Sequence, residues 1–385
     1  MKILYHHRTR SKDGQSVHID EMIGAWRALG HEVIVVAPAG AETESFGSDA
    51  GIVALLKRFM PKFCYELMEL AYSLVAYRQL SAALEQHKPD VLYERYNLFL
   101  PAGVWLKRKY KLPMILEVNS PIFEERAKYD GLSLRGLARW SQSYTWRAAD
   151  VVLPVTGVLA KIVEAYGVDP RRIVVIPNGI NSDRFGKPID VLEAKRALGL
   201  QDALVLGFTG FVRDWHGLDK VIDMIAGDPP GTQRHLLVVG DGPARAGLER
   251  QARERGISER VTFTGVIGRD DVARYVAAFD IALQPAVVAY ASPLKLFEYL
   301  ALGKAIIGPD QPNLAEILTH EDNALLFDPE DANALPAVLD RLSRDPALRQ
   351  RIAARAHATI AEQRLTWRAN AERVVDLSKG LMQHA

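Results

Sequence analysis

The sequence predicts an α/β protein of two doubly wound, Rossmann-like domains, and three observations lead there. Short β-branched runs alternate with helical patterns along most of the chain. That alternation is interrupted by a turn-rich segment, "PNGINSDRFGKP", and then restarts. With 385 residues, 48% of them hydrophobic and 25% charged, the chain can fill two cores of ordinary size.

In the first half the apolar runs are "MKILYHH", "HEVIVVAP", "DVLYERY", "PMILEVN", "DVVLPVT" and "RIVVIPN". Runs this apolar, separated by helical stretches, suit strands buried on both faces of a parallel sheet with helical crossovers. Pro177, Gly179, Gly186 and Pro188 punctuate the chain around residue 184, which sets the expected boundary. Beyond it come "ALVLGFTG", "HLLVVGDG", "VTFTGVIG", "DIALQPA" and "KAIIGPD", the strands of a second sheet. From about residue 334 the pattern is helical only, and the last helix is expected to cross back to the first domain. The expected domains are 1–184 with 366–385, and 185–365. No fixed-period repeat or low-complexity tract supports a solenoid or a disordered chain.

Charge and cysteine content exclude several classes of function. A net charge of +1, from 48 basic and 47 acidic residues, leaves no electrostatic footprint for nucleic acid. Any bound anion must be held locally. Cys64 is the single cysteine, so neither an internal disulfide nor a cysteine metal cluster can form, and it reads as a buried small residue in a reducing compartment. The start "MKILYHHRTRSKDG" lacks the apolar core of a signal peptide. No apolar run approaches the roughly 20 residues that span a bilayer. A cytoplasmic protein is expected, with any membrane role peripheral.

Ligands of open α/β sheets bind beyond the carboxyl ends of strands. The first such junction carries Gly14, ahead of a helix expected near Ser16; it is either a loop that approaches a ligand closely or a plain surface turn. "GDGP" gives Gly240 and Gly242 the first spacing of a dinucleotide fingerprint, but Arg245 stands where a third small residue is needed. A tight turn before a helix initiated by Pro243 accounts for most of it. Gly265 and Gly268 bracket a loop whose Val266 and Ile267 backbone can read the edge of a flat heterocycle. In "ASPLKLFEYLALGKAIIG" the expected helix has Ser292 as N-cap and Pro293 as first residue. Lys295 then falls in the first turn, where the helix dipole repels a cation. A bound diphosphate resolves the conflict, and Glu298, one turn on, can accept hydrogen bonds from a ribose diol. The alternative is an exposed pair of opposite charges.

With these pieces in order, the chain resembles the retaining glycosyltransferases of the GT-B fold, the superfamily of bacterial mannosyl-, glucosyl- and N-acetylglucosaminyltransferases. The motifs carrying the resemblance are "GQSVHIDEMIGAWRALGHEVIVVAP", "IPNGINSDRF", "GFTGFVRDWHGLDKVID", "LLVVGDGPARAGLE", "VTFTGVIGRDDVARYVAAFDIALQP" and "SPLKLFEYLALGKAIIGPD". The resemblance implies that Lys295 binds the diphosphate, Glu298 the ribose, and the Val266–Ile267 backbone the nucleobase of a nucleotide-sugar donor. It implies further that the Gly14 loop closes on the diphosphate across an interdomain cleft. Gly210, Gly240, Gly265, Ser292 and Leu294 complete the implied nucleotide-binding set. This chain departs from the family pattern at Tyr290, where relatives often carry a glutamate, and at Phe211 and His216, where they often carry arginine and lysine. Lys295, with Arg213 and His216, is expected to supply the missing charge, as in a subgroup with "SPLK". Glu117 stands at or beside a position where many relatives have a sugar-contacting histidine. It reads either as a contact or proton acceptor for the sugars or as a strand-end carboxylate bound locally. His18 is similarly open, between packing and an active-site contact.

The implied reaction is transfer of a sugar with retention of configuration to a hydroxyl acceptor, saccharide or lipid-linked. No Asp-x-Asp is present, which fits a metal-free design, and no resident cofactor is expected. Residues 55–80, with Lys57, Arg58 and Lys62 among Phe59, Phe63 and aliphatic residues, read either as a peripheral membrane contact or as a buried helix with a basic end. Arg95, in "VLYERYNLFLP", reads either as a holder of an acceptor anion or as a strand cap. The rival functions are a non-hydrolysing nucleotide-sugar 2-epimerase, which needs no acceptor, and a sugar-nucleotide-binding protein without catalysis.

Overall fold

The computed structural model describes residues 1–9, 14–38 and 60–383. Its contacts divide the chain into two compact units. The first holds Met1–Pro177, Tyr290–Ser292 and Trp367–Ala385; the second holds Asn178–Ala289 and Pro293–Thr366.

The sheet of the first unit comprises β1 (Lys2–His6), β2 (Glu32–Val36), β3 (Val91–Arg95), β4 (Met114–Val118) and β5 (Val151–Pro154). All pairs are parallel, in the order β2-β1-β3-β4-β5. Every residue of β3, β4 and β5 is buried, as the apolar runs require. The chain leaves β1 to one side for β2 and resumes at β3 on the other. The carboxyl ends of β1 and β3 therefore flank the point where strand order reverses, the usual ligand crevice of such sheets. The C-terminal helix, Trp367–Gln383, belongs to this unit, as expected. Trp26 Nε1 donates to the Ala371 carbonyl at 3.3 Å, and Asn370 Nδ2 to the Pro177 carbonyl at 2.7 Å.

In the second unit the strands are β6 (Leu204–Thr209), β7 (Arg234–Val239), β8 (Val261–Phe263), β9 (Ile281–Leu283), β10 (Ala305–Pro309) and β11 (Leu325–Phe327). They run parallel in the order β11-β10-β9-β6-β7-β8, so strand order reverses between β6 and β9. Two apolar layers sandwich the sheet, one around Phe279, Phe297 and Tyr299, the other around Phe208, Ile222 and Leu339.

Several local expectations change. "RIVVIPN" forms no regular strand: Ile173 makes one isolated bridge to Val152, and two backbone bonds continue along β5. β11 is an unexpected strand of three residues. The helix expected near Ser16 begins at Gly14. The helix after "GDGP" begins at Arg245 rather than Pro243. The one after "SP" begins at Leu294, because Pro293 keeps an extended ψ of 124°. Pro293, not Ser292, thus occupies the cap position and offers no side-chain acceptor, leaving Lys295 as the second helical residue. Cys64 is half-buried rather than buried.

Candidate active site

Helix Leu294–Ala301 buries Leu296, Phe297, Tyr299 and Leu300, which fixes the direction of its remaining face. The Tyr299 hydroxyl accepts the Thr209 backbone N–H at 3.0 Å, tying the helix to the end of β6. Lys295 consequently lies with Nζ 3.6 Å from the centre of the Phe208 ring. A Cβ on Gly210 would sit 3.3 Å from Lys295 Cε, so the absence of a side chain at Gly210, held at φ 120°, gives the lysine its berth.

Burial pushes the Lys295 ammonium down to about 7, against the pull of Glu298. Burial likewise raises Glu298 to about 7, opposed by Lys295 and then Arg184. Glu298 Oε2 is buried and has no hydrogen-bond partner among the described residues. A buried carboxylate oxygen without a donor is costly, which makes it a place for a ligand hydroxyl. The helix N-terminus beside it carries no side-chain cap.

His216 packs against Phe208 with ring centres 5.0 Å apart. Its Nδ1 accepts the Arg213 backbone N–H at 3.1 Å. Burial, with the charges of Lys295 and Arg213, lowers its pKa to about 2. The ring is therefore neutral with its proton on Nε2, a donor without charge. Arg213 itself is exposed, with its guanidinium 4.8 Å from the Phe211 ring centre.

Gly240 and Gly242 serve packing between loops. A Cβ on Gly240 would meet the Gly210 carbonyl at 2.1 Å, and one on Gly242 the Val212 carbonyl at 2.2 Å. Gly265, at φ 74°, bridges Gly240 and turns the chain so that Val266 stands 57% exposed while Ile267 packs on the core. The structure thus brings Lys295, Glu298, Gly210 and His216 to the carboxyl end of β6, with Gly240 and Gly265 in the neighbouring loops. Ser292 falls outside this unit. A cavity lined by Leu204, Asp228, Arg234 and Asp340 lies at the opposite, amino ends of β6 and β7.

The first unit contains a second buried polar cluster. Glu117 Oε2 accepts from the Tyr93 hydroxyl at 2.8 Å and lies 2.9 Å from His18 Nε2. Glu117 Oε1 accepts from Arg95 and Asn119. Burial alone would raise this carboxyl, but His18 and Arg95 hold it far below its usual range. It has no appetite for a further proton near neutral pH. His18 also meets the Trp367 ring edge-on at 4.9 Å. Beside it, His6 Nδ1 and Glu94 Oε2 are 2.6 Å apart, both buried. Gly14 is the exposed first residue of its helix.

Reading the sequence missed Phe208, whose ring lies under Lys295, and Arg184. It also missed Glu125, to which the Tyr290 hydroxyl donates, while the Thr156 hydroxyl donates to the Tyr290 carbonyl at 2.9 Å. Only tertiary contact joins these residues, so no spacing signalled them. Among the described residues no group of three or more His, Cys, Asp or Glu is placed to hold a metal ion.

A family model described as glycosyltransferase family 4 matches residues 12–184, and one described as glycosyl transferases group 1 matches residues 190–359. A D-inositol 3-phosphate glycosyltransferase of Thermomonospora curvata is 27% identical over 342 residues, 81% of this chain and 77% of that protein. An alpha-monoglucosyldiacylglycerol synthase of Streptococcus pneumoniae is 25% identical over 290 residues, 71% of this chain and 64% of that protein. Among solved structures, Anabaena HepE in complex with UDP aligns with TM-score 0.75 at 19% identity, covering 99% of this chain and 100% of HepE. Sucrose-phosphate synthase from Thermosynechococcus elongatus aligns with TM-score 0.78 at 18% identity, over 100% of both chains. At such identities the structural likeness is one of fold.

Proposed function

The chain belongs to the group 1 glycosyltransferases of GT-B fold, and from that premise we propose a retaining, metal-independent hexosyltransferase of the "SPLK" subgroup. It takes a nucleotide diphosphate-sugar, a UDP-sugar first and GDP-mannose second, and glycosylates a hydroxyl acceptor in bacterial polysaccharide or glycoconjugate synthesis. The observation that carries this reading is the half-buried Lys295 and Glu298 on one helix, with the buried Glu298 Oε2 lacking a donor, beside an uncapped helix N-terminus at the end of β6. UDP as the first choice draws support from the HepE complexes with UDP and with UDP-glucose.

In this reading the C1–O bond of the donor breaks and its electron pair goes to the diphosphate. Lys295, the first-turn N–H groups, the neutral His216 Nε2–H and Arg213 meet the growing charge. The acceptor oxygen bonds to C1 from the face the leaving group vacates and gives its proton to a leaving phosphate oxygen. Glu298 holds the ribose, and the loop of Gly265, Val266 and Ile267 holds the base. Leu294 offers its backbone to the diphosphate. Glu117, already engaged by four donors, orients His18 and Arg95 toward the acceptor side instead of taking a proton.

Thermal shift against UDP-, GDP- and dTDP-sugars, followed by transfer assays with the stabilising donor, tests the donor class. Stabilisation by none of them overturns it. Conversion of UDP-N-acetylglucosamine without an acceptor would establish the epimerase, and binding without transfer or hydrolysis the non-catalytic alternative.

The outer face of helix Lys62–His87 supports a membrane-facing acceptor. Phe63, Leu67 and Leu74 recur on one side, with Met68 and Val75 adjoining, and Leu74 is 59% exposed. Glu66 and Glu69 turn inward, Glu66 onto the backbone of Ser133 and Leu134 and Glu69 onto Arg8 and Arg126. The opposite face of this helix, with Ala76 and Leu80, is buried in the core of the first unit, as the buried-helix alternative expects, and the exposed face supports the membrane reading; Lys57, Arg58 and Phe59 lie outside the described residues. No helix among the described residues is long and apolar enough to cross a membrane. We place the enzyme in the cytoplasm, resting on anionic lipid. Sedimentation with anionic vesicles at low salt is expected, and its loss in Leu74→Ser; recovery in the supernatant throughout would remove this contact.

A further inference from the structure

Arg8 and Arg126 share one glutamate at the carboxyl end of the first unit's sheet. Arg8 stands just beyond β1, and Arg126 follows β4 through the short helix Ile122–Glu125. Helix Lys62–His87 places Glu69 between them. Arg126 Nη1 donates to Glu69 Oε2 at 2.8 Å, and Arg8 Nη1 lies 3.6 Å from Glu69 Oε1. The second distance attracts but is too long for a hydrogen bond. Arg8 Nη1 is buried with no hydrogen-bond partner among the described residues.

Aromatic rings hold both guanidiniums in place. Arg8 lies 5.2 Å from the centre of the Tyr72 ring, and Arg126 lies 5.7 Å from that of Phe99, which is fully buried a turn past β3. Arg126 opens a π-helical turn, Arg126–Asp130, an uncommon element that recurs at functional sites. Lys62 meets the far end of that turn, its Nζ donating to the Asp130 carbonyl at 2.9 Å. Glu69 offsets one arginine and not both, so the cluster keeps a surplus positive charge that a purely structural pair would not need. The side chains of Arg8 and Arg126 are 21% and 20% exposed, at the strand ends where such sheets bind ligands. Arg95, the anion holder that the sequence offers, is instead buried against Glu117.

We propose that Arg8 and Arg126 form an anion subsite for the acceptor, and that the acceptor carries a phosphate group besides the hydroxyl that receives the sugar. Glu69 accepts a hydrogen bond from one N–H group of Arg126, and the remaining N–H groups of the two forks suit phosphate oxygens. The phosphate belongs to a soluble ester or to a lipid; the group recognised is the same. The proposal rests on the glycosyltransferase reading above, in which the first unit faces the acceptor.

The experiment is calorimetry on UDP-saturated protein, so that UDP fills the donor's diphosphate site and added phosphate reports on the second one. The titrants are glycerol 3-phosphate against glycerol, and phosphatidic acid against diacylglycerol in detergent micelles. Wild type is compared with Arg8→Gln, Arg126→Gln, Arg8→Lys and Glu69→Gln, with melting curves as folding controls. Wild type should bind a phosphate titrant and not its neutral counterpart. Binding of the soluble ester identifies a soluble acceptor, and binding of the lipid alone a lipid-linked one. Each arginine-to-glutamine change should weaken that phosphate about tenfold or more, as the loss of a hydrogen bond to a charged group does. Arg8→Lys should restore part of the loss. Glu69→Gln should tighten phosphate, because it removes the repelling charge, and a merely structural triad would show no such gain. UDP affinity should stay within about twofold in every variant.

No binding of either phosphate titrant by wild type would overturn the proposal, and so would unchanged phosphate affinity in both arginine-to-glutamine variants. A parallel loss of UDP and phosphate affinity in those variants would assign the arginines to the donor and overturn it as well. Failure of the donor reading shows differently, as wild-type protein that does not bind UDP at all, and the phosphate titrations are then read on the nucleotide-free protein.

Discussion

The two charge clusters, one buried and one half-buried, are opposites in how completely they are partnered. In the first unit, Glu117 has donors on both oxygens, from Tyr93, Arg95, Asn119 and His18, and is held firmly ionised. In the second, Lys295 rests on an aromatic face, and Glu298 has one oxygen with no donor. Both groups are pushed toward neutrality, to about 7. A satisfied buried charge serves the fold, because each neighbour depends on it. An unsatisfied one is tolerated where a ligand completes it.

The largest expected effect follows from the satisfied side. Glu117→Ala would leave Arg95 and His18 buried without their counter-charge and the Tyr93 hydroxyl without its acceptor. Breaking a buried pair in this way costs about 3–5 kcal/mol. Denaturant melts should show that loss while UDP affinity per folded molecule stays within about twofold. A stable Glu117→Ala protein with transfer abolished would reverse the comparison and return Glu117 to the chemistry.

Lys295→Ala should do the converse. Removing one preorganised donor to a developing negative charge typically costs about 10²–10³ in rate. The melting temperature of the ligand-free protein should not fall, because a buried ammonium that burial pushes toward neutrality is removed. Unchanged transfer rate and unchanged nucleotide affinity in this variant would take Lys295 out of the site.

The pH dependence is smaller and has opposite signs for stability and binding. Lys295 falls from 10.5 to about 7 on folding. Between those values the unfolded chain keeps a proton that the ligand-free fold has released, so this group's contribution to stability rises with pH. Over the same range a bound diphosphate needs the ammonium, so UDP affinity should fall as pH rises above about 7, approaching tenfold per unit. Calorimetry from pH 7 to 9 on wild type and Lys295→Arg checks it. The arginine variant, always charged, should be flat, and a parallel slope in both would assign the titration elsewhere.

These contrasts also mark what could be read from the chain. Parallel sheets were legible because strands buried on both faces need unbroken apolar runs, and β3 and β4 are such runs. "RIVVIPN" shares that composition but lies beside β5 with a single bridge, and composition cannot count hydrogen bonds. β11, at three residues, is too short to show a period. Lys295 and Glu298 stood out because charge inside an apolar helical pattern is a conflict visible in one dimension. The ring of Phe208, the charge of Arg184 and three of the groups on Glu117, those of Tyr93, Arg95 and His18, come from segments far apart in sequence, so only folding brings them together. The glycines show the same limit. Gly240 looks like a phosphate turn, yet the atom that forbids a side chain there is the Gly210 carbonyl.

The smallest expected effect probes the family departure at Tyr290. Its hydroxyl donates to Glu125, which also accepts from Ser120 Oγ at 3.0 Å, so this carboxylate belongs with the satisfied class. Burial first, and then Glu125, push the phenol well above its usual range, which keeps it a neutral donor. Tyr290→Phe deletes one hydrogen bond and leaves Ser120 in place. The expected loss of stability is about 1 kcal/mol, with UDP affinity and transfer rate within about twofold of wild type. The resemblance places Tyr290 at a position expected to carry a glutamate, so the result separates two uses of the position. A drop in donor affinity larger than the drop in stability would mean that the tyrosine reaches the ligand, and would move Tyr290 and Glu125 from the scaffold into the site.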